Sequence, residues 1–340
     1  MSTLVPRFVA ILLSIAVCAA QPTIGAIDFF AYASVDIDAL RSDLTIQPGD
    51  PWTSEANKLL TSEIEELIGR SPSDVNVVCC DEAGNRIIYV GLADGSGSRV
   101  QMNPQPAGVH QLDADFLIVY EQYEEAVRQA VSRGDGLVLE DHSRGYSLSR
   151  HPGIRALQQR IREYASSKSV RLFAVSRESS NARHRAIAID AIGYGLHSAD
   201  QIEALAYSAL DPDRTVRNNA IRALWVLASS KVELQAPIPY DPFVDLLNSD
   251  VRTDRGKSTA LLERLTEDRG PGVMAAILQR SLAPLVECAR WSWSGHAYRA
   301  RVILGRIGGM DEATVLDQAW DPGFVDVALD AIQHSRAQEQ

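Results

Sequence analysis

The sequence predicts a chain of mixed class: a C-terminal all-α helical-repeat solenoid preceded by a small α+β domain. Two observations predict the solenoid. Arg185, Ala188, Ala191 and Ile192 recur as Arg217, Ala220, Ala223 and Leu224, each displaced by 32 residues, and spacings of three and four put each set on one helix face. Between the copies lies a second helical segment, Ala199 to Leu210, so one unit reads helix, turn, helix. The front domain is predicted by a different pattern, strand, helix, helix, strand, strand, over residues 24–94.

At 340 residues the chain is longer than one ordinary core requires, which fits two folded units. Apolar residues make up 46% and charged residues 23%, a balance that excludes disordered and collagen-like chains. The formal net charge of -11 argues against a nucleic-acid backbone or an anionic lipid surface as main partner, since both need clustered basic residues.

Residues 1–20 read as a secretory signal peptide: Arg7, the apolar run Phe8 to Val17, then the small residues Cys18, Ala19 and Ala20. The run falls short of the ~20 apolar residues a membrane span needs, so no integral membrane segment is expected after cleavage. The expected location is periplasmic or secreted. The alternative is lipoprotein anchoring through Cys18, against which Val17 is bulkier than the residue that processing prefers. Cleavage leaves Cys79, Cys80 and Cys288, an odd number that cannot all pair internally. Cys79 and Cys80 end the apolar run from Val75, where neighbouring side chains point to opposite faces. They are expected to be small buried hydrophobes, with a bridge from one of them to Cys288 as the alternative.

In the front domain, Ile27 to Tyr32 reads as a strand, Asp36 to Leu44 as a short helix, and Thr53 to Gly69 as a longer helix capped by Thr53 or Ser54. Val75 to Cys80 and Arg86 to Leu92 read as strands joined by the turn residues Asp81 to Asn85. An exposed strand edge follows from this order. Residues 95–151 are the connection: a loop rich in Gly, Ser, Pro and Asn, a helix from Asp115 to Val131, and a polar linker from Ser132 to His151. The linker carries Glu140-Asp141-His142-Ser143-Arg144-Gly145-Tyr146 where the two units meet, which marks it as a candidate special site.

The repeats are assigned to 152–335, from a first helix at Gly153 to Ala165. Asp211-Pro212-Asp213 separates the two clear units, as a capping aspartate and a first-turn proline would. Later copies are looser. Leu224, Leu262 and Leu304 are 38 and 42 residues apart, Gln235 to Asp241 is an insertion, and Asp321-Pro322 opens a last copy through Ile332.

The string Asp211 to Leu224 resembles the first helix of bacterial HEAT-like (armadillo-type) repeats, and Leu304 to Gly309 resembles the end of one. Ser258 departs from the pattern, standing where alanine is expected. The resemblance implies that Arg185 and Arg217 pair with aspartates of neighbouring turns, and that the stack presents a surface to proteins or peptides. The structural repeat positions are Arg185, Ala188, Asp211, Pro212, Arg217, Ala220 and Leu224. The front domain, with Leu44 to Asp50 between its helices, resembles a POTRA module, which recognises peptides by strand addition. It departs from that pattern at Tyr32-Ala33-Ser34, where a glycine is common.

Chemistry leaves little mark. Asp141, His142 and Ser143 are consecutive and cannot relay protons in line, and no Gly-x-Ser-x-Gly elbow occurs. Gly256-Lys257-Ser258-Thr259 imitates the end of a phosphate loop, but Val251 stands where the first glycine belongs. The seven histidines are scattered. No catalytic residue, cofactor or metal is therefore expected. Trp291 and Trp293, with Tyr298 and Arg299, form the richest aromatic patch and are the candidate partner contacts, one tryptophan being expected in the repeat core. The function expected is an exported, non-catalytic protein-interaction scaffold. The alternative is an enzyme or accessory subunit like the HEAT-like lyases that attach bilin chromophores, a cytoplasmic chemistry that export opposes.

Overall fold

The computed structural model describes residues 21–32, 35–93, 100–133 and 140–338. The signal-peptide assignment with Cys18, Ala33 and Ser34, and the first parts of the predicted loop (94–99) and polar linker (134–139) lie outside the described residues. The front domain runs β1 (Ile24–Phe30), α1 (Ile37–Asp43), α2 (Ser54–Ile68), β2 (Asp74–Cys79) and β3 (Arg86–Gly91). Its helices start where side chains satisfy the first free amides. The Asp36 carboxylate accepts from the amides of Asp38 and Ala39, and the Thr53 hydroxyl from that of Ala56 at 3.0 Å. Gly69, at φ +72, ends α2 in the left-handed conformation that suits glycine.

The sheet order is β1-β3-β2, with β3 parallel to β1 and antiparallel to β2. Strand alternation divides β3 between two cores. Ile88 and Val90 pack with Leu40, Leu60 and Ile64 of α1 and α2, while Ile87 and Tyr89 turn the other way and join the core of the helical repeats. Both faces of the sheet are thus covered. The β2 edge is the half-exposed one, with Val77 37% exposed.

The connection is more ordered than a linker. Its helix, α3 (Ala114–Ser132), packs on α4 (Pro152–Ser167) and so begins the helical stack. Part of the polar segment after it folds into a hairpin of β4 (Glu140–Asp141) and β5 (Leu148–Ser149). Strands of two residues are too short to show a period of two. The turn is made instead by the Asp141 carboxylate, which accepts from the Ser143 amide at 2.9 Å.

The stack continues with α5 (Ser169–Glu178), α6 (Ala182–Ile192), α7 (Ala199–Ser208), α8 (Arg214–Ser229), α9 (Asp241–Leu246), α10 (Arg252–Leu265), α11 (Pro271–Arg280), α12 (Leu282–Ala289), α13 (Ser294–Ile307), α14 (Glu312–Gln318) and α15 (Phe324–Gln338). One row runs α6, α8, α10, α13, α15, each helix packed on the next. The other row supplies α5, α7, α9, α12 and α14, packed against α6, α8, α10 and α13. This is an all-α helical-repeat solenoid preceded by a small α+β unit.

Two local readings are corrected. Helix α5 has no counterpart in the sequence assignment, because the break at Lys168 carries neither glycine nor proline. The cap of α8 is Asp213, whose carboxylate accepts from the amides of Thr215 and Val216, so Pro212 lies before the helix rather than in its first turn. Asp211 is held elsewhere, by Arg185. Among the described residues no single helix is long and apolar enough to cross a membrane. The pair α11 and α12 reaches that composition only across an 89° bend.

Candidate functional site

The repeat arginines form a ladder of struts. Arg185, fully buried, donates from Nε and Nη2 to the two carboxylate oxygens of Asp211 at 2.8 Å each, and from Nη1 to the Ser179 carbonyl. Arg217 repeats this arrangement with Asp254, at 2.8–3.0 Å, and with the carbonyl of Asp211. Arg255 makes a third rung, donating to the Ser249 carbonyl at 2.6 Å and to Glu287 at 2.6 Å. In all three the carbonyl lies six residues back, and the acid comes from further along the stack. Arg255 was legible in principle, since it precedes Leu262 by seven residues as Arg217 precedes Leu224. The same Glu287 carboxylate accepts from the Ala31 amide at 2.8 Å, tying the ladder to the end of β1. Ala188, Ala220 and Leu224 are fully buried between the rows.

The four candidate partner contacts separate. Trp291 is only 2% exposed. It lies beside Tyr89, with ring centroids 4.7 Å apart, and edge-on to Phe30 at 6.5 Å. It is the tryptophan of the pair that lies in the core, covered by the front domain's sheet, and it still lines a recess over α8, α10 and α13. Trp293 is half-buried and packs edge-on against His296. Tyr298 stacks on Trp320, which is 55% exposed and was not singled out from the sequence. Arg299 points away from that pair, with its guanidinium 5.9 Å from the Trp225 ring and 3.9 Å from the Glu263 carboxylate.

Arg299 and Trp225 belong to a recess of about 280 Å³ over α8, α10 and α13, to which Arg222, Arg252, Lys257 and His296 also contribute. The hairpin flanks one side, where Glu140 pairs with Arg222 and with His142 at 3.4 Å, and His142 meets Trp225 edge-on. The sheet flanks the other, where the Tyr89 hydroxyl lies 2.6 Å from His296 Nδ1 and the Arg252 guanidinium lies 4.6 Å over the Tyr89 ring. Burial, reinforced by Arg222, Arg252 and Arg299, pushes the Lys257 amine down to about 8. Burial, with Arg252 and Arg299, pushes His296 down to about 3 and keeps it neutral.

The polar residues of the hairpin and of the turn into α4 serve the fold. The Asp141 carboxylate serves the hairpin turn, and His151 caps α4, accepting from the Ile154 amide at 3.4 Å. Gly256 to Thr259 lie within α10, where Ser258 is fully buried while Gly256, Lys257 and the buried Thr259 line the recess. Among the described residues no group of three or more acidic, histidine or cysteine side chains is placed to hold a metal. The cysteine expectation is also corrected. Cys79 and Cys80 are joined to each other, and Cys79 is exposed because β2 is an edge strand. Cys288 is free in the core, its thiol pushed up to about 11 by burial.

No family model matches this chain, and no curated protein matches it. Among solved structures it is similar to a designed armadillo repeat protein, with a TM-score of 0.36 and 16% identity over 54% of this chain and 94% of the other. A computationally designed armadillo repeat protein for modular peptide recognition gives 0.36 and 16% over 53% and 94%. A third, designed and in complex with the peptide (KR)4, gives 0.35 and 15% over 54% and 95%.

Proposed function

We propose that this is an exported, non-catalytic scaffold of the periplasm or secreted space, which binds a protein or peptide partner on its repeat array. The observation that carries the reading is the recess over α8, α10 and α13. There the Nε1 atoms of Trp225 and Trp291 and Nε of Arg252 are buried without an acceptor among the described residues. Buried indoles and arginines in a concave site are the usual anchors of recognition. The front domain flanks the recess and leaves its β2 edge half-exposed, which supports a POTRA-like second contact by strand addition.

Crosslinked pull-down of the exported chain tests the proposal. A stoichiometric protein partner is expected, captured by wild type and lost in the variants Trp225→Ala and Arg299→Ala; unchanged capture by these variants, once shown to be folded, overturns the assignment to the recess. Trp293→Ala and Tyr298→Ala probe the adjoining aromatic patch in the same way. Intact mass of the secreted chain should begin at Gln21.

One observation favours the catalytic alternative: an amine held near pKa 8 in a recess, at Lys257, is a recurrent feature of reactive sites. A copurifying small molecule that the protein turns over would support that reading instead.

A further inference from the structure

The recess concentrates positive charge in a chain whose net charge is -11. Four cations converge there, from three helices: Arg222, Arg252, Lys257 and Arg299. Two of them are answered by carboxylates, Arg222 by Glu140 and Arg299 by Glu263. Arg252 and Lys257 have no carboxylate within ion-pair distance among the described residues, and Lys257 makes no hydrogen bond there either. The Arg252 guanidinium instead meets neutral groups, the Tyr89 ring and the imidazole of His296, while the Asp74 carboxylate is engaged by its backbone amide at 3.0 Å. Half-buried cations side by side disfavour one another unless an anion joins them, and Nε of Arg252 has no acceptor.

Gly256 is an independent sign. A glycine inside a helix weakens it, and here no packing demands one, because a Cβ at this position would meet nothing within 4 Å. Its effect is to keep the α10 backbone open to the recess, beside Lys257.

We infer that the recess is an oxyanion site that receives a carboxylate of a peptide partner, an Asp or Glu side chain or a chain terminus, between Arg252 and Lys257, with Trp225 beside the neighbouring apolar residue. The inference rests on the scaffold reading and names the chemistry of its partner. The chain itself shows how such a group enters: Glu140, on the hairpin, reaches Arg222 at the rim. A guanidinium fork and an ammonium point charge suit a carboxylate oxygen pair, and the partly buried Trp225 ring suits an apolar neighbour.

Calorimetric titration of the full mature chain tests this with acetyl-Phe-Glu-amide, acetyl-Phe-Gln-amide, inorganic phosphate and citrate as probes. The Glu peptide is expected to bind at least tenfold more tightly than the Gln peptide, and the preference to fall as salt rises. Lys257→Met should lose the preference while melting higher than wild type, since it removes an unanswered cation; the raised melting temperature separates loss of the site from loss of the fold. Equal binding of the two peptides, or an unchanged preference in Lys257→Met, overturns the inference. Binding of phosphate or citrate without the Glu peptide overturns the peptide source and assigns the site to a free small anion. If partner capture persists in Lys257→Met and no Glu preference exists, the inference falls and the scaffold reading stands. A Glu preference without any captured partner supports the site and overturns the scaffold reading.

Discussion

At the scale of single residues, the arginine struts are the strongest polar commitments in the array. A guanidinium with no exposure needs acceptors for its donors, and where one of them is a buried carboxylate the cost of breaking the rung lies in the charge left behind. Asp254, itself 1% exposed, answers Arg217 and also accepts from the Ser249 hydroxyl at 2.8 Å. Asp254→Ala should therefore lower unfolding free energy by roughly 3–5 kcal/mol. Asp326→Ala, which removes an exposed pair with Arg290, should change it by less than about 1 kcal/mol. Urea denaturation of both variants checks the contrast, and equal effects would refute the strut assignment. Two rungs were legible because Arg185 and Arg217 share a flawless spacing with the residues behind them. The third, Arg255, was obscured by the insertion that stretches the next interval to 38 residues. Its glutamate lies on α12, 32 residues further on, where no local pattern announces it.

At the scale of elements, the glycines of the array differ in what their missing side chain makes room for. Gly305 on α13 faces Val315 of α14 and Phe324 of α15, and a Cβ there would come within 2.8 Å and 2.9 Å of their side chains. Gly256 on α10 faces open space. The same substitution should thus act in opposite directions. Gly305→Ala should destabilise by about 1–3 kcal/mol through overpacking. Gly256→Ala should stabilise by about 0.5–1 kcal/mol through helix propensity alone. Paired denaturation curves decide it, and a stabilising Gly305→Ala would show that α14 and α15 yield easily. Helices with a clear apolar face, such as α8, could be read from spacing. Helix α5 could not, because Lys168 separates it from α4 without any breaker residue, and α9 has only six residues. The sheet order of the front domain was likewise invisible, since strand succession does not state which strand lies in the middle. The unbroken run Ile87-Ile88-Tyr89-Val90 did carry the information that β3 is covered on both faces.

At the scale of the molecule, the front domain and the array share a core rather than a linker. Phe30, Ile87 and Tyr89 belong to the same apolar cluster as Trp291, and Asp28 accepts from the amide and hydroxyl of Ser292 at 2.9 Å and 2.7 Å. His296 lies on this boundary, facing Tyr89, Trp293, Arg252 and Arg299, and burial with the two arginines holds it neutral down to about pH 3. Unfolding frees it to take up a proton near its ordinary 6.5. Between these values the unfolded chain binds more protons than the folded one, so acid favours unfolding there. The contribution of this residue to stability should fall as pH drops from 6.5 towards 3, by up to about 1.4 kcal/mol per pH unit. His296→Gln, which can still accept from the Tyr89 hydroxyl, should flatten that limb while leaving stability above pH 7 nearly unchanged. Because the histidine joins both units, far-ultraviolet and tryptophan signals should move together along it. An acid limb identical in wild type and variant would place the proton uptake elsewhere, and separated transitions would show that the sheet and the array unfold independently.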